Sequence, residues 1–362
     1  MSRRALFLPE LDTPALVIDL DVLDRNIRAM QAFFSAKPAR LRPHFKTHRC
    51  PPIAHKQLAA GATGITCATV GEAEVLVQAG VKDILIANEV VGETKISRLM
   101  GLIRHAALTV AVDDPANVRD LSAAAVAVRG KLGVLVEVDI GMGRCGVRPG
   151  RPAVDLARLV QKSKNLDFRG LQGYEGHLVS KEPGPSKDAL VRDALSHLRA
   201  TKRALESAGI PCREVSGGGT GTYKVTGAHP VMTEIQAGSY ATMDATYARI
   251  TPEFASALFC IVGIVSRPKK GVAIGNAGLK SLTTEFGMPQ VADAPGAVVE
   301  RLAEEHTIIK LRGASEKLRP GDRILVVPSH GCTTFNLYTC VYGIRRGRVE
   351  CSWQIAARGK SQ

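Results

Sequence analysis

The sequence predicts an α/β protein: a (β/α)8 TIM barrel joined to a second, mostly antiparallel β domain. Three observations lead there. Short β-rich runs alternate with amphipathic stretches between residues 41 and 237, and eight such runs can be counted. Repeated βα units imply a parallel sheet, and eight of them close into a barrel of roughly 200–250 residues. Beyond residue 250 the texture changes to strand-like runs separated by Pro-Lys-Lys-Gly, Arg-Pro-Gly-Asp and Arg-Arg-Gly turns, with few helices. A doubly wound open sheet is the competing topology. It usually carries a glycine-rich turn after its first strand, where this chain has Lys46-Thr47-His48.

Taken in order, Ala15–Leu20 reads as a strand ahead of the first helix. The barrel runs are Leu41–Lys46, Gly64–Val70, Asp83–Glu89, Ala107–Asp113, Gly133–Asp139, Phe168–Tyr174, Arg213–Ser216 and Glu234–Ala237. Between them, Glu72–Ala79 is helical and stopped by Gly80. Lys95–His105 puts Ile96, Leu99, Met100 and Ile103 on one face, and Lys187–Ser207 keeps Leu190, Leu195, Leu198 and Leu205 roughly in phase. The later strands are Val272–Ile274, Thr307–Leu311, Arg323–Val327, Leu337–Ile344 and Arg348–Trp353. The expected division is a barrel over 22–248, with 1–21 and 249–362 forming the β domain.

Composition narrows the function classes. At 362 residues, with 45% apolar and 23% charged residues, the chain is neither one small module nor disordered. No stretch approaches the roughly 18 apolar residues of a membrane span. The apolar run in Met1–Glu10 is too short for a signal peptide, which leaves a cytoplasmic location as the expectation. Eight cysteines lie scattered with no C-x-x-C pair, so they read as reduced and mostly buried. The net charge of +14 suggests a polyanion. Aromatics at 4% with one Trp provide no stacking surface, and no groove-reading motif occurs. The short basic runs at 267–270 and 345–348 fall at expected hairpin turns, so nucleic acid is not the expected partner.

In a barrel, chemistry gathers at the C-terminal ends of the strands, and the loops after strands seven and eight often bind phosphate. The first run ends in Lys46. Held in a desolvated barrel mouth, a lysine has a lowered pKa and suits Schiff-base chemistry, although most lone lysines are solvated surface residues. The seventh run ends in Ser216-Gly217-Gly218-Gly219-Thr220-Gly221, where backbone N–H groups can approach an anion; the eighth ends in Gly238-Ser239-Tyr240. Flexible turns are the plain alternative for such glycine runs. The fifth run leads to Arg144 among Gly141, Gly143 and Gly146, where a guanidinium can face a phenolate or ring nitrogen or serve structure alone. The sixth ends in Tyr174-Glu175-Gly176-His177, offering a phenol and an imidazole. In the β domain, His330 and Cys332 in an extended segment would point the same way, and imidazole plus thiolate suits zinc. A lone H-x-C also arises by chance.

Together these blocks resemble one family. R-P-H-x-K-T-H around Lys46, the D-x-G-M-x-R-x-G loop around Arg144, G-Y-E-G-H, S-G-G-G-T, E-I-Q-A-G-S-Y and P-S-H-x-C are similar to the fold-type III pyridoxal-phosphate enzymes. The resemblance is to the D-threonine aldolases and D-serine dehydratases, relatives of alanine racemase. It covers nearly the whole chain in order and implies a pyridoxal 5'-phosphate barrel, a β domain and a homodimer. Lys46 is then the Schiff-base lysine. Ser216–Thr220 with Gly238, Ser239 and Tyr240 grip the phosphate, Arg144 tunes the ring, and Tyr174 lies near it. His177 is a candidate base, and His330 with Cys332 hold a divalent metal (zinc, or manganese or magnesium).

The chain also departs from its relatives. Alanine racemases carry a tyrosine base early in the β domain, where Gly271–Lys280 has none, so a racemase lacks one base. Many D-threonine aldolases carry H-x-D at the metal; the cysteine here is closer to eukaryotic D-serine dehydratases. The aldolases place their histidine further along, where Ser180 stands. The resemblance therefore implies a lyase acting on D-3-hydroxy amino acids, a D-threonine aldolase first and a D-serine dehydratase second. A racemase or a non-catalytic cofactor carrier are further alternatives, the carrier disfavoured because such proteins have no β domain.

Overall fold

The computed structural model describes residues 11–362; the reading of Met1–Glu10 lies outside them. In chain order the elements begin with β1 (Ala15–Asp19), α1 (Leu20–Ser35), β2 (Arg40–Leu41), α2 (Pro51–Ala59), β3 (Ile65–Cys67) and α3 (Val70–Gln78). Next come β4 (Asp83–Glu89), α4 (Glu93–Leu102), β5 (Ala107–Val112), α5 (Pro115–Ala127), β6 (Leu132–Glu137), α6 (Arg151–Lys162) and β7 (Leu166–Gly173). They are followed by α7 (Pro185–Ser207), β8 (Glu214–Gly217), α8 (Tyr223–Ala228), β9 (Glu234–Ile235) and α9 (Ala245–Ile250). The last set is β10 (Leu258–Lys269), β11 (Val272–Gly275), β12 (Gln290–Val291), β13 (Val298–Leu302), β14 (Thr307–Lys310), β15 (Arg323–Val327), α10 (Gly331–Phe335), β16 (Cys340–Arg345) and β17 (Arg348–Gln354).

The chain divides into two compact units. One holds residues 29–46, 53–238 and 360–362; the other holds, among the described residues, 11–28, 47–52 and 239–359. The boundaries therefore cut α1 and give residues 47–52 to the β unit, where the sequence suggested simple cuts near 22 and 248.

The first unit is the (β/α)8 barrel. Its eight strands run in the order β2-β9-β8-β7-β6-β5-β4-β3, every pairing parallel. The ring closes between β2 and β3, where Thr63 N–H donates to Leu41 C=O (3.0 Å), Thr66 N–H donates to Pro43 C=O (2.8 Å), and His44 bridges Thr66 in parallel. Strands such as β6 are buried on both faces, as a sheet covered by helices requires. Local chemistry starts the helices. Asp114 caps α5 by accepting from Ala116 and Asn117 N–H with Pro115 in the first turn, and Thr69 caps α3 by accepting from Glu72 N–H. The long α7 buries Val191, Ala194, Leu195, Leu198 and Leu205 along one stripe.

The extended run expected to carry Lys46 is shorter than the sequence suggests. β2 has two residues, and Phe45–Thr47 is a 3-10 turn. The Lys46 N–H donates to His44 Nδ1 (3.4 Å), so the histidine two residues earlier helps curl the chain.

The second unit is built on a sheet ordered β13-β14-β11-β10-β1-β16-β17, with β15 pairing both β10 and β12. All pairings are antiparallel except β1 with β16. The 12-residue β10 organises it. Its Cys260, Val262 and Ile264 enter one core with Ile309 and Val326, while Phe259 and Ile261 enter another with Val17 and Leu325. Successive residues point to opposite faces, so one strand serves two cores. The expected Leu337–Ile344 strand begins only at Cys340. The expected extended Val327–Cys332 segment ends at His330, because Gly331–Phe335 is helical.

Candidate active site and metal centre

In the barrel unit, the loop from Asp139 to Gly146 is shaped by carboxylates. Asp139 accepts from the N–H groups of Gly141 (2.9 Å) and Gly143 (3.0 Å), and Asp113 accepts from that of Gly146 (2.9 Å). Burial opposes ionisation of Asp139, but these backbone donors outweigh it and hold the acid below its usual range. Gly146 has φ +106°, and a Cβ there would lie 2.6 Å from the Asp139 nitrogen. A glycine is therefore required for the turn that carries Arg144.

Arg144 lies over the Tyr174 ring, its guanidinium carbon 5.8 Å from the centroid. Its Nη2 is 3.9 Å from Glu137 Oε1. Glu137, Asp139, Met142, Arg144 and Tyr174 line one small cleft. Tyr174 also reaches the glycine loop, since a Cβ on Gly219 would sit 3.4 Å from its ring and hydroxyl. The structure thus brings Arg144, Tyr174 and Gly219 together.

At two of its positions the glycine loop has no space for a side chain, and a third needs a left-handed backbone. A Cβ on Gly217 would lie 2.0 Å from Gly173 C=O, one on Gly221 would lie 2.1 Å from Val179 C=O, and Gly218 takes φ +74°. Ser216 and Thr220 are buried. Behind the loop, buried Glu175 accepts from Thr222 Oγ1 (2.6 Å) and from the Thr226 hydroxyl, while Thr222 accepts from Gly219 N–H (3.3 Å). The Ser216 hydroxyl donates inward to Glu234 (2.7 Å), so this side chain buttresses the loop from the barrel interior.

The other expected residues are placed as follows. Lys46 is half-buried in its 3-10 turn. His177 is exposed and packs on Gly141, where a Cβ would meet its ring at 3.3 Å. Gly238 closes the barrel unit's segment; buried Ser239 and Tyr240 belong to the β unit, where Tyr240 packs on Phe254 (5.9 Å between centroids).

The sequence reading did not identify a hydrogen-bonded chain across the barrel interior. Arg42 donates to Asp83 (2.8 Å) and Glu234 (2.6 Å). Gln236 donates to Ser216 Oγ (2.8 Å) and Gln172 Oε1 (3.0 Å), and Gln172 donates to Glu137. Glu137 is 4% exposed. Burial, and then Glu89, push its carboxyl up to about 7 against the pull of Gln172 and Arg144. Glu89, Asp113 and Cys145 converge beside it, with ligand atoms within 4.8 Å of one another. No spacing rule reveals these partners, because each sits on a different strand or loop.

In the β unit, His330 and Cys332 do meet, though not as an extended i, i+2 pair. His330 is the extended residue before α10 and Cys332 lies in its first turn, yet their side chains hydrogen-bond. Burial disfavours the imidazolium, but Cys332, Asp244 and Glu285 outweigh it and push His330 up to about 9. Buried Asp244 accepts from Gly331 N–H (2.8 Å) and fixes the start of the turn. His330 Nδ1 lies 2.8 Å from Glu285 Oε1, and Phe286 stacks on the ring with centroids 4.4 Å apart. Neither Glu285 nor Phe286 has a recognisable sequence signal.

The donor set of His330 and Cys332 fits a borderline-soft divalent cation and leaves positions for other ligands. At Gly217 and Gly221 the backbone runs close to its neighbours with no side chain between, which suits approach by an anion, and the Arg144 guanidinium over the Tyr174 phenol suits a polar aromatic group.

A closed parallel barrel with this loop, followed by an antiparallel domain, defines the alanine racemase-like class of fold-type III pyridoxal-phosphate proteins. The chain belongs to the "Alanine racemase, N-terminal domain" family over residues 18–246, and residues 257–344 match the "Putative serine dehydratase domain". It is 39% identical to a D-threonine aldolase of Arthrobacter sp. across 98% of this chain and 95% of that one. It is 36% identical to a 3-hydroxy-D-aspartate aldolase of Paracoccus denitrificans strain Pd 1222 across 97% and 93%. The crystal structure of D-threonine aldolase from Filomicrobium marinum superposes with a TM-score of 0.95 at 42% identity, covering 97% of each chain. A cysteine-to-alanine mutant of D-threo-3-hydroxyaspartate dehydratase, solved in the metal-free form, superposes with a TM-score of 0.86 at 28% identity, covering 95% and 97%. Among the described residues, no helix is long and apolar enough to cross a membrane.

Proposed function

We propose that this protein is a pyridoxal 5'-phosphate- and divalent-metal-dependent lyase of the D-threonine aldolase type, splitting D-3-hydroxy amino acids into glycine and an aldehyde. The observation that carries this reading is similarity along nearly the whole of both chains to two aldolases, one named for D-threonine and one for 3-hydroxy-D-aspartate. The convergence of Arg144, Tyr174 and the glycine loop supports it.

In this reading Lys46 holds the cofactor's aldehyde carbon, and Ser216–Thr220 with Gly238, Ser239 and Tyr240 hold its phosphate. Arg144 and Tyr174 would hold its ring. The bound cofactor supplies an electron sink for the bond broken at Cα. The metal, held by His330 and Cys332, supplies Lewis acidity toward a hydroxyl oxygen. The protein's own work is orientation and proton transfer. Arg144 is held by cation–π contact and by Glu137, so it is positioned before substrate arrives. The Lys46 amine could move a proton at Cα, and His177 is a further candidate base. The reading includes a homodimer, checked by solution molecular mass.

The dehydratase type is the second reading, favoured by the imidazole–thiolate pair. The related dehydratase was solved metal-free when a cysteine was replaced by alanine. Incubating the purified protein with D-threonine, with and without a chelator, separates the readings. Glycine and acetaldehyde, lost on chelation, are the expected products. 2-Oxobutyrate and ammonia indicate the dehydratase, and L-threonine a racemase. No turnover together with no visible cofactor absorbance overturns the proposal.

A further inference from the structure

We propose that Glu285 is the positioning residue of the metal centre: its carboxylate holds the Nδ1 edge of His330, so that Nε2 is the nitrogen presented with the Cys332 thiol to a divalent cation. This rests on the metal reading above and deepens it.

An imidazole attached at Cγ can rotate by half a turn about its Cβ–Cγ bond and exchange the nitrogen it offers. Two contacts oppose that flip here. Phe286 stacks on the ring at 4.4 Å with 27° between the planes, which sets the plane. Glu285 Oε1, 2.8 Å from Nδ1, sets the direction within that plane. A flipped ring would lose this hydrogen bond and turn a carbon edge toward a carboxylate.

The carboxylate is itself held. The Thr333 hydroxyl donates to Glu285 Oε1, Thr283 Oγ1 lies 2.9 Å from Thr333 Oγ1, and Ser329 Oγ donates to Thr283 C=O (2.7 Å). These anchors come from the loop carrying Glu285 and from the segment carrying His330, so loop and ligand are tied twice. A histidine that donates its far N–H to a carboxylate has a fixed tautomer and a more basic metal-facing nitrogen. Losing such a partner typically weakens metal binding roughly 10–100-fold. A merely structural ion pair at this surface would leave affinity unchanged.

The test uses the full-length protein stripped of metal and titrated with zinc chloride against a chromophoric chelator, with no pyridoxal phosphate present. Wild type, Cys332→Ala, Glu285→Gln and Glu285→Ala are compared, and folding is checked by circular dichroism. Zinc affinity is expected to fall roughly 10–100-fold in Glu285→Ala and by a smaller factor, at least about threefold, in Glu285→Gln, which keeps an acceptor but not the charge. If the alanine variant does not fold, the glutamine variant decides. In zinc-loaded, 15N-histidine-labelled wild type, the His330 proton is expected on Nδ1. Affinity changed less than threefold in both folded Glu285 variants while Cys332→Ala weakens zinc, or a metallated Nδ1, overturns the assignment of Glu285. Unchanged zinc affinity in Cys332→Ala instead removes the metal reading on which it rests.

Discussion

Glu137 shows how position in the barrel changes the chemistry of one residue. Its carboxyl titrates near 4.5 in the unfolded chain and near 7 in the fold. Between those values the folded state binds more protons, so this group's contribution to stability declines as pH rises from about 4.5 to about 7 and stays low above that. Glu137→Gln is expected to remove that part of the slope, giving a flatter plot of melting temperature against pH over the same window; an unchanged slope would show that Glu137 does not titrate there. Arg42 is the opposite case, a buried cation with two carboxylates at 2.8 and 2.6 Å. Arg42→Ala strands Glu234 and is expected to cost about 3–5 kcal/mol in denaturant unfolding. Exchanging Arg42 and Glu234 together for apolar residues of similar size should cost less. Arg144, Tyr174 and the glycine loop were legible because unusual residues cluster in short blocks. Glu137, Gln172, Gln236 and Glu285 were not, because each acts through partners far away in the sequence.

The barrel strands were legible as elements because most are short β-rich runs bounded by turn residues, with amphipathic helices between them. β10 was not, although it is the longest strand. Its first half, Leu258–Ile264, is buried on both faces and shows no alternation by which to tell strand from helix. The H-x-C pair was legible as a pair, but its geometry was misjudged: Asp244 and the Gly331 turn convert an extended segment into a short helix. At this scale the glycine loop makes a sharp prediction. Gly217→Ala places a Cβ 2.0 Å from Gly173 C=O, against neighbouring strand backbone that cannot yield cheaply. It is expected to destabilise by about 1–3 kcal/mol or more and to weaken cofactor binding. A melting curve and a pyridoxal phosphate titration check both; a variant with unchanged melting and affinity would show that the loop has slack.

At the scale of the molecule, the barrel unit recruits the last three residues of the chain. Gln362 C=O accepts from Gly71 N–H (2.7 Å), and Lys360 C=O accepts from the Thr69 hydroxyl (2.7 Å) at the start of α3. Deleting 360–362 should cost about 1–3 kcal/mol for these two bonds. Protease sensitivity at the start of α3 should rise, and an unchanged melting curve would contradict it. Of the basic runs behind the +14 charge, the one at 345–348 lies at the β16–β17 hairpin, where Arg345 is paired with Asp24 (3.0 Å) and Glu350 (2.7 Å).

By itself the sequence determined the fold class, the eight strands of the barrel, the glycine-lined loop and the identity of the residues that resemble a cofactor site. Those are local properties: periodicity, turn chemistry and short blocks of uncommon residues. Only the tertiary structure decided where Lys46 sits, how Glu137 joins Arg144 to a polar chain across the barrel, and which carboxylate orients His330. Hydrogen bonds between residues tens to hundreds of positions apart exist only once the chain has closed, and burial then sets their strength.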